Sequence, residues 1–118
     1  MTTKLYGIPN CDTVKRARAW LAEHGHDYQF HDFKKAGVPT GDTGLDGWIA
    51  ADGWERLLNR QGTTWRKLDE AVRAAVVDAA SARALMLAQP SVIKRPVVRW
   101  ADGTLTVGFD AAEFAKHL

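Results

Sequence analysis

The chain has 118 residues, 46% of them hydrophobic and 25% charged, with one cysteine and a formal net charge of +2. A single domain of this size buries a hydrophobic core without staples, and one cysteine excludes the disulfide scaffold of small secreted proteins. So small a charge argues against direct nucleic-acid binding, which draws on a dense Lys/Arg face. No apolar run reaches membrane-spanning length and the first residues read as strand, so no membrane and a reducing cytoplasm are expected.

Residues 4–8 predict a first β-strand through Leu5, Tyr6, Gly7 and Ile8. Residues 12–24 predict an amphipathic helix, with Val14, Ala17, Trp20 and Leu21 at helical spacing and Gly25 as a left-handed terminator. Tyr28, Phe30 and Asp32 alternate with Gln29, His31 and Phe33 in a second strand, and strand–helix–strand at this spacing implies parallel strands. The Gly-, Pro-, Thr- and Asp-rich stretch 36–47 predicts a loop, with Asp42 or Thr43 capping the helix that follows.

From 44 to 88 the pattern is helical in short pieces. Leu45, Trp48 and Ile49 form one apolar stripe, and Trp54, Leu57 and Leu58 another. Thr63 and Thr64 supply capping hydroxyls before a stripe of Trp65, Leu68, Val72 and Val76. Asp78 is expected to cap a last helix through Ala84, Leu85, Met86 and Leu87, closed by Pro90. Val92, Ile93, Pro96, Val97 and Val98 then predict a strand, Ala101-Asp102-Gly103 a hairpin turn, and Leu105 to Val107 its partner. A final helix is expected around Ala111 to Lys116. The sum is an α/β fold in one domain, 1–118, in which helices cover a four-stranded mixed sheet. The five tryptophans are assigned to packing under the helical middle.

Cys11 is the one strong nucleophile, and it stands where the first strand gives way to the first helix. Unpaired N–H groups and the positive end of the helix dipole favour thiolate there, and the polar flanks Asn10, Asp12 and Thr13 argue against an apolar burial site. Lys15 adds a candidate positive charge on the same helix. Arg95-Pro96 interrupts an apolar strand, where proline marks an edge or a special bend, including a cis bond. Asn59-Arg60 ends a short helix before Gln61-Gly62 and places a second guanidinium on a loop. His24, His26 and His31 lack the paired spacing of a zinc site, so no metal is expected; a cysteine–histidine pair stays open. No glycine-rich phosphate loop is present.

Tyr6-Gly7-Ile8-Pro9-Asn10-Cys11-Asp12-Thr13, joined to Ile93-Lys94-Arg95-Pro96-Val97, resembles the arsenate reductase-like (ArsC) family. Leu58-Asn59-Arg60-Gln61-Gly62-Thr63-Thr64-Trp65-Arg66-Lys67-Leu68 and Val107-Gly108-Phe109 look most like its small bacterial YffB branch, regarded as glutathione-dependent thiol reductases. The resemblance implies a thioredoxin-like fold with a helical insertion, here 40–90. It makes Cys11 the catalytic cysteine, Arg60 and Arg95 binders of oxyanion or thiol substrate, and Pro96 a cis-proline. Two departures stand out. Gly108-Phe109 replaces a third arginine of true arsenate reductases, which weakens the hold on a tetrahedral dianion. Val14 stands where a thioredoxin-type pair has its resolving cysteine, so an external thiol must finish the cycle.

The implied activity is therefore a monothiol reductase with no bound cofactor and glutathione as co-substrate. The carboxylates of glutathione would meet Arg60, Arg95 and Lys94, with Asn10, Thr13 and Lys15 supporting Cys11. The implied partners are glutathione, glutaredoxin and a small oxyanion or oxidised thiol. Arsenate reduction is the nearest alternative. Regulation through RNA polymerase binding, known among related family members, is the alternative of another class.

Overall fold

A computed structural model describes residues 2–118. The chain opens with strand β1 (Thr3–Gly7), helix α1 (Asp12–Glu23), strand β2 (Tyr28–Asp32) and the one-turn helix α2 (Phe33–Ala36). Helices α3 (Leu45–Asp52), α4 (Trp54–Leu57), α5 (Thr63–Lys67), α6 (Glu70–Ala74) and α7 (Ala79–Ala88) follow, then a 3₁₀ turn at Pro90–Val92. Strands β3 (Val97–Arg99) and β4 (Leu105–Val107) and helix α8 (Ala111–Ala115) complete the order. These elements form two compact units, one of residues up to Gly37 with Arg95–Leu118, the other of Val38–Lys94.

The first unit is a four-stranded mixed sheet with α1 and α8. Its strand order is β2-β1-β3-β4; β1 runs parallel to β2 and antiparallel to β3, and β3 is antiparallel to β4. The helical spacing read in α1 buries Val14, Ala17 and Leu21 completely. They pack with Leu5 of β1, Val98 of β3, Trp100 and Phe114 of α8 in one cluster. Because Leu5 pairs with both Phe30 and Val98, the centre of β1 anchors that core from two sides. Trp100 satisfies its buried indole N–H by donating to the Thr106 hydroxyl at 3.0 Å, so its large ring is buried at no hydrogen-bonding cost. The Asp110 carboxylate accepts from the N–H groups of Ala112 and Glu113 and starts α8.

The end of β1 lies hard against the start of α1. A Cβ on Gly7 would come 2.9 Å from Cγ2 of Val14, whose branched side chain has little freedom to retreat. The antiparallel register Tyr6↔Val97 brings the end of β1 level with the beginning of β3. The two loops that carry Cys11 and Arg95 therefore leave the sheet at the same end.

The second unit is helical and buries Leu45, Trp48, Leu57, Leu58, Ala82, Met86, Val92 and Ile93. Asp78 starts α7 in a reciprocal box: its carboxylate accepts from the Ser81 N–H, and the Ser81 hydroxyl accepts from the Asp78 N–H. Arg83 of α7 donates to Asp46 of α3 at 2.7 Å. Both side chains are 39% exposed, which keeps this ion pair a minor contributor. Segments 57–59 and 92–94 run side by side: Lys94 N–H donates to Leu57 at 2.6 Å, Asn59 N–H donates to Val92 at 2.7 Å, and Leu58 bridges Ile93.

Several local expectations are corrected. Val92 and Ile93 are not part of β3; Pro90 opens a 3₁₀ turn through Val92, Ile93 makes a single bridge, and the strand starts at Val97. Neither Asp42 nor Thr43 caps α3, and neither Thr63 nor Thr64 caps α5; glycines 44 and 62 hold those positions. The stripe Trp65, Leu68, Val72 and Val76 spans two short helices with no buried residue, and Val72 is 41% exposed. Trp48, Trp54 and Trp65 belong to the helical unit, but Trp20 and Trp100 serve the core of the sheet unit.

Candidate active site

Cys11 is the N-cap residue of α1, with φ −110° and ψ 124°, and its carbonyl accepts the first helical bond from Lys15 N–H at 2.9 Å. The backbone there is extended, so the Cys11 side chain points back over the first turn. Its sulfur faces the N–H groups of Thr13 and Val14, which as helix-start donors have no carbonyl partner in the helix. No side-chain hydrogen bond caps α1 in the thiol form, because neutral sulfur is a weak acceptor. The thiolate is a far better one. The thiol is half-buried against the cluster around Leu5 and Val14.

Burial by itself raises the Cys11 thiol. That effect is outweighed by the Val14 N–H, by the hydrogen bond and charge of Arg95, and by the Thr13 N–H, leaving the thiol below its ordinary value. The cation beside the sulfur is Arg95, half-buried just ahead of β3. Lys15 is exposed on α1 and is not among the groups that set the thiol. Asn10 is exposed and Thr13 half-buried on either side of Cys11.

The Arg95–Pro96 peptide bond is cis, and Pro96 is buried. The Pro96 carbonyl accepts from Gly108 N–H at 2.8 Å, a contact with no signature in the sequence pattern. Arg60 and Lys94 lie in the helical unit, both exposed. Arg60 follows the 57–59 segment, which is hydrogen-bonded to 92–94 within the helical unit. Its guanidinium lies 5.7 Å over the Trp54 ring, a support that the sequence did not reveal. Within the sheet unit the structure thus brings together Cys11, Thr13 and Arg95.

Among the described residues no group of three His, Cys, Asp or Glu side chains is placed to hold a metal ion. No helix among them is long and apolar enough to cross a membrane.

A β2-β1-β3-β4 sheet with a cysteine at the start of the helix that follows its inner parallel strand, and a cis-proline ahead of the next strand, defines a thioredoxin-like protein. The chain belongs to the ArsC family, whose model matches residues 6–117. It is similar to the solved structure of the YffB (PA3664) protein, with TM-score 0.90, 51% identity and 99% of each chain covered. An arsenate reductase (ArsC) related protein from Brucella melitensis is 56% identical, with TM-score 0.74, over 99% of this chain and 94% of that one. An uncharacterised protein of Haemophilus influenzae is 38% identical over 93% of both chains. The global transcriptional regulator Spx of Streptococcus pyogenes is 24% identical over 97% of this chain and 83% of its own.

Proposed function

We propose that the protein is a cytoplasmic, glutathione-dependent monothiol reductase in which Cys11 is the nucleophile. The observation that carries this reading is the half-buried Cys11 sulfur held between the Val14 and Thr13 N–H groups and the Arg95 guanidinium. Such a setting favours thiolate over thiol, and the thiolate is the attacking species in disulfide exchange.

In the proposed cycle the Cys11 thiolate attacks the glutathione sulfur of a mixed disulfide. The substrate leaves as a thiolate and takes up a proton from solvent, and Cys11 is left joined to glutathione. A second glutathione, as thiolate, attacks the glutathione sulfur of that adduct, forming oxidised glutathione and returning the Cys11 thiolate. The net reaction is one mixed disulfide plus one glutathione giving one free thiol plus oxidised glutathione. No second cysteine in the chain can take this role, since Cys11 is the only one. Arg60, Lys94 and Arg95 are assigned to the glutathione carboxylates, Pro96 to shaping the backbone beside Arg95, and glutaredoxin to the role of alternative thiol source.

The family also favours a second reading, reduction of arsenate with the same cysteine and external thiols, because a relative 56% identical bears the description arsenate reductase related. Gly108-Phe109 counts against it, offering no third guanidinium to a tetrahedral dianion.

Turnover of a glutathione mixed disulfide and of arsenate, each with glutathione and a reducing system, tests the ranking. Disulfide turnover is expected to exceed arsenate turnover, and both should vanish in Cys11→Ser. Arsenate turnover without disulfide turnover would reverse the order. Activity surviving in Cys11→Ser would remove the mechanism. Co-purification with RNA polymerase and no thiol transfer would replace the enzyme reading with a regulatory one like that of the Spx relatives.

A further inference from the structure

β4 ends at Val107, and the chain leaves the strand through Gly108 with φ +88°. Before it turns away, the Gly108 N–H donates to the Pro96 carbonyl at 2.8 Å. That bond lies one residue beyond the Val97↔Val107 pair. It extends the restraint of the β3–β4 ladder to the residue that directly follows Arg95. We propose that Gly108 is a positioning residue for Arg95, its N–H fixing the Pro96 carbonyl so that the Arg95 guanidinium stays against the Cys11 sulfur. This inference rests on the reading of Cys11 as the working thiolate.

The chemistry of position 108 supports that role. A side chain at φ +88° is strained, so an L-residue there must either keep the strain or rotate the peptide that carries the N–H. Neither flank can absorb the rotation. Upstream, Val107 is held by its pair with Val97. Downstream, the Phe109 ring packs edge-on against Phe114 at 4.9 Å, and Asp110 is tied to the start of α8. Movement of the Gly108 peptide therefore bears directly on its bond to Pro96.

The test is the pH dependence of Cys11 alkylation by iodoacetamide in the wild type, Gly108→Ala, Arg95→Ala and the double variant. Gly108→Ala should slow alkylation about threefold or more at pH values below the midpoint, moving toward Arg95→Ala. In the double variant, Gly108→Ala should add nothing to Arg95→Ala, because its effect runs through that guanidinium. Gly103→Ala is the matched control: Gly103 has φ +90° and open space around it at the β3–β4 turn, so it carries the same backbone strain away from Pro96. Should Gly108→Ala fail to fold, Gly108→Asn, which tolerates positive φ better, is read in the same way with a smaller shift.

An unchanged profile in Gly108→Ala, an equal shift in Gly103→Ala, or a shift that persists without Arg95 would each overturn the inference. A wild-type midpoint at the ordinary thiol value would instead sink the reading of Cys11 on which it rests.

Discussion

The Arg95 guanidinium helps to hold the Cys11 thiol below its ordinary value, although the two residues come from opposite ends of the chain. The antiparallel pairing of β1 with β3 is what makes them neighbours, since Tyr6 opposite Val97 aligns the loop after one strand with the loop before the other. The sheet topology, and not any local motif, supplies the charge at the nucleophile.

Alkylation of Cys11 should therefore have a midpoint below the ordinary thiol value of about 8.5, with Arg95→Ala raising it and Lys15→Ala leaving it in place. The same depression makes a prediction for stability. A group with a folded pKa below its unfolded one adds stability above the unfolded value, and that stability is lost as pH falls through the folded value. Urea midpoints of the wild type and Cys11→Ser should thus diverge in favour of the wild type at about pH 9.5 relative to pH 6. A gap that widens on acidification would contradict the sign.

Phe114→Ala should be among the most damaging substitutions in the chain. The side chain is fully buried and meets Trp100 edge-on at 4.9 Å and Trp20 at 5.6 Å. Truncation removes those contacts and leaves a cavity at a cost of about 3–5 kcal/mol, measurable by denaturant titration. Phe114→Leu should cost clearly less. Equal losses for the two would mean that ring geometry, and not volume, holds α8.

Asp78→Ala should lower the thermal midpoint more than Ser81→Ala does, because the carboxylate accepts from both the Ser81 N–H and its hydroxyl. The Ser81 backbone and side chain hold the Asp78 carboxyl below its usual range. Its contribution is accordingly complete above about pH 3.9 and fades as pH falls through the lower folded value. Thermal scans of wild type and Asp78→Ala should converge at strongly acid pH; curves that stay parallel would rule out the charged cap.

If Arg60 holds a carboxylate of glutathione, Arg60→Ala should weaken apparent glutathione binding by about ten- to hundredfold, the range of a hydrogen bond to a charged group. Arg60→Lys should recover only part, lacking the planar fork. The exposed position of Arg60 predicts at most a small change in unfolding, from the lost contact with the Trp54 ring in Arg60→Ala. Full activity in Arg60→Ala would take the residue out of the site.

Elements whose signal is local were legible in the sequence. The period of Val14, Ala17 and Leu21 gave α1 and its buried face, and Asp78 gave the start of α7. Where two structures share one local signal, the reading failed. Val92 and Ile93 are apolar and β-branched, yet Pro90 starts a 3₁₀ turn and Leu57–Asn59 supplies their partners, so the run never joins the sheet. The helices after Gly44 and Gly62 begin without side-chain caps, and nearby hydroxyls and carboxylates drew the assignment away. At the site, spacing along α1 points to Lys15 as a nearby positive charge, and the resemblance points to Arg95. Arg95 is close in space through a strand register that no spacing rule shows. The Gly108 contact was hidden for the same reason.

Because β1 is hydrogen-bonded on both sides, by β2 and by β3, it has no free edge from which to peel. In hydrogen exchange its amides should be among the last of the sheet to trade for deuterium, while the outer faces of β2 and β4 exchange through smaller openings. The turn that presents Cys11 hangs from this slowest strand. Opening of the sheet is thus expected to contribute little to the rates at which reagents modify the cysteine under native conditions.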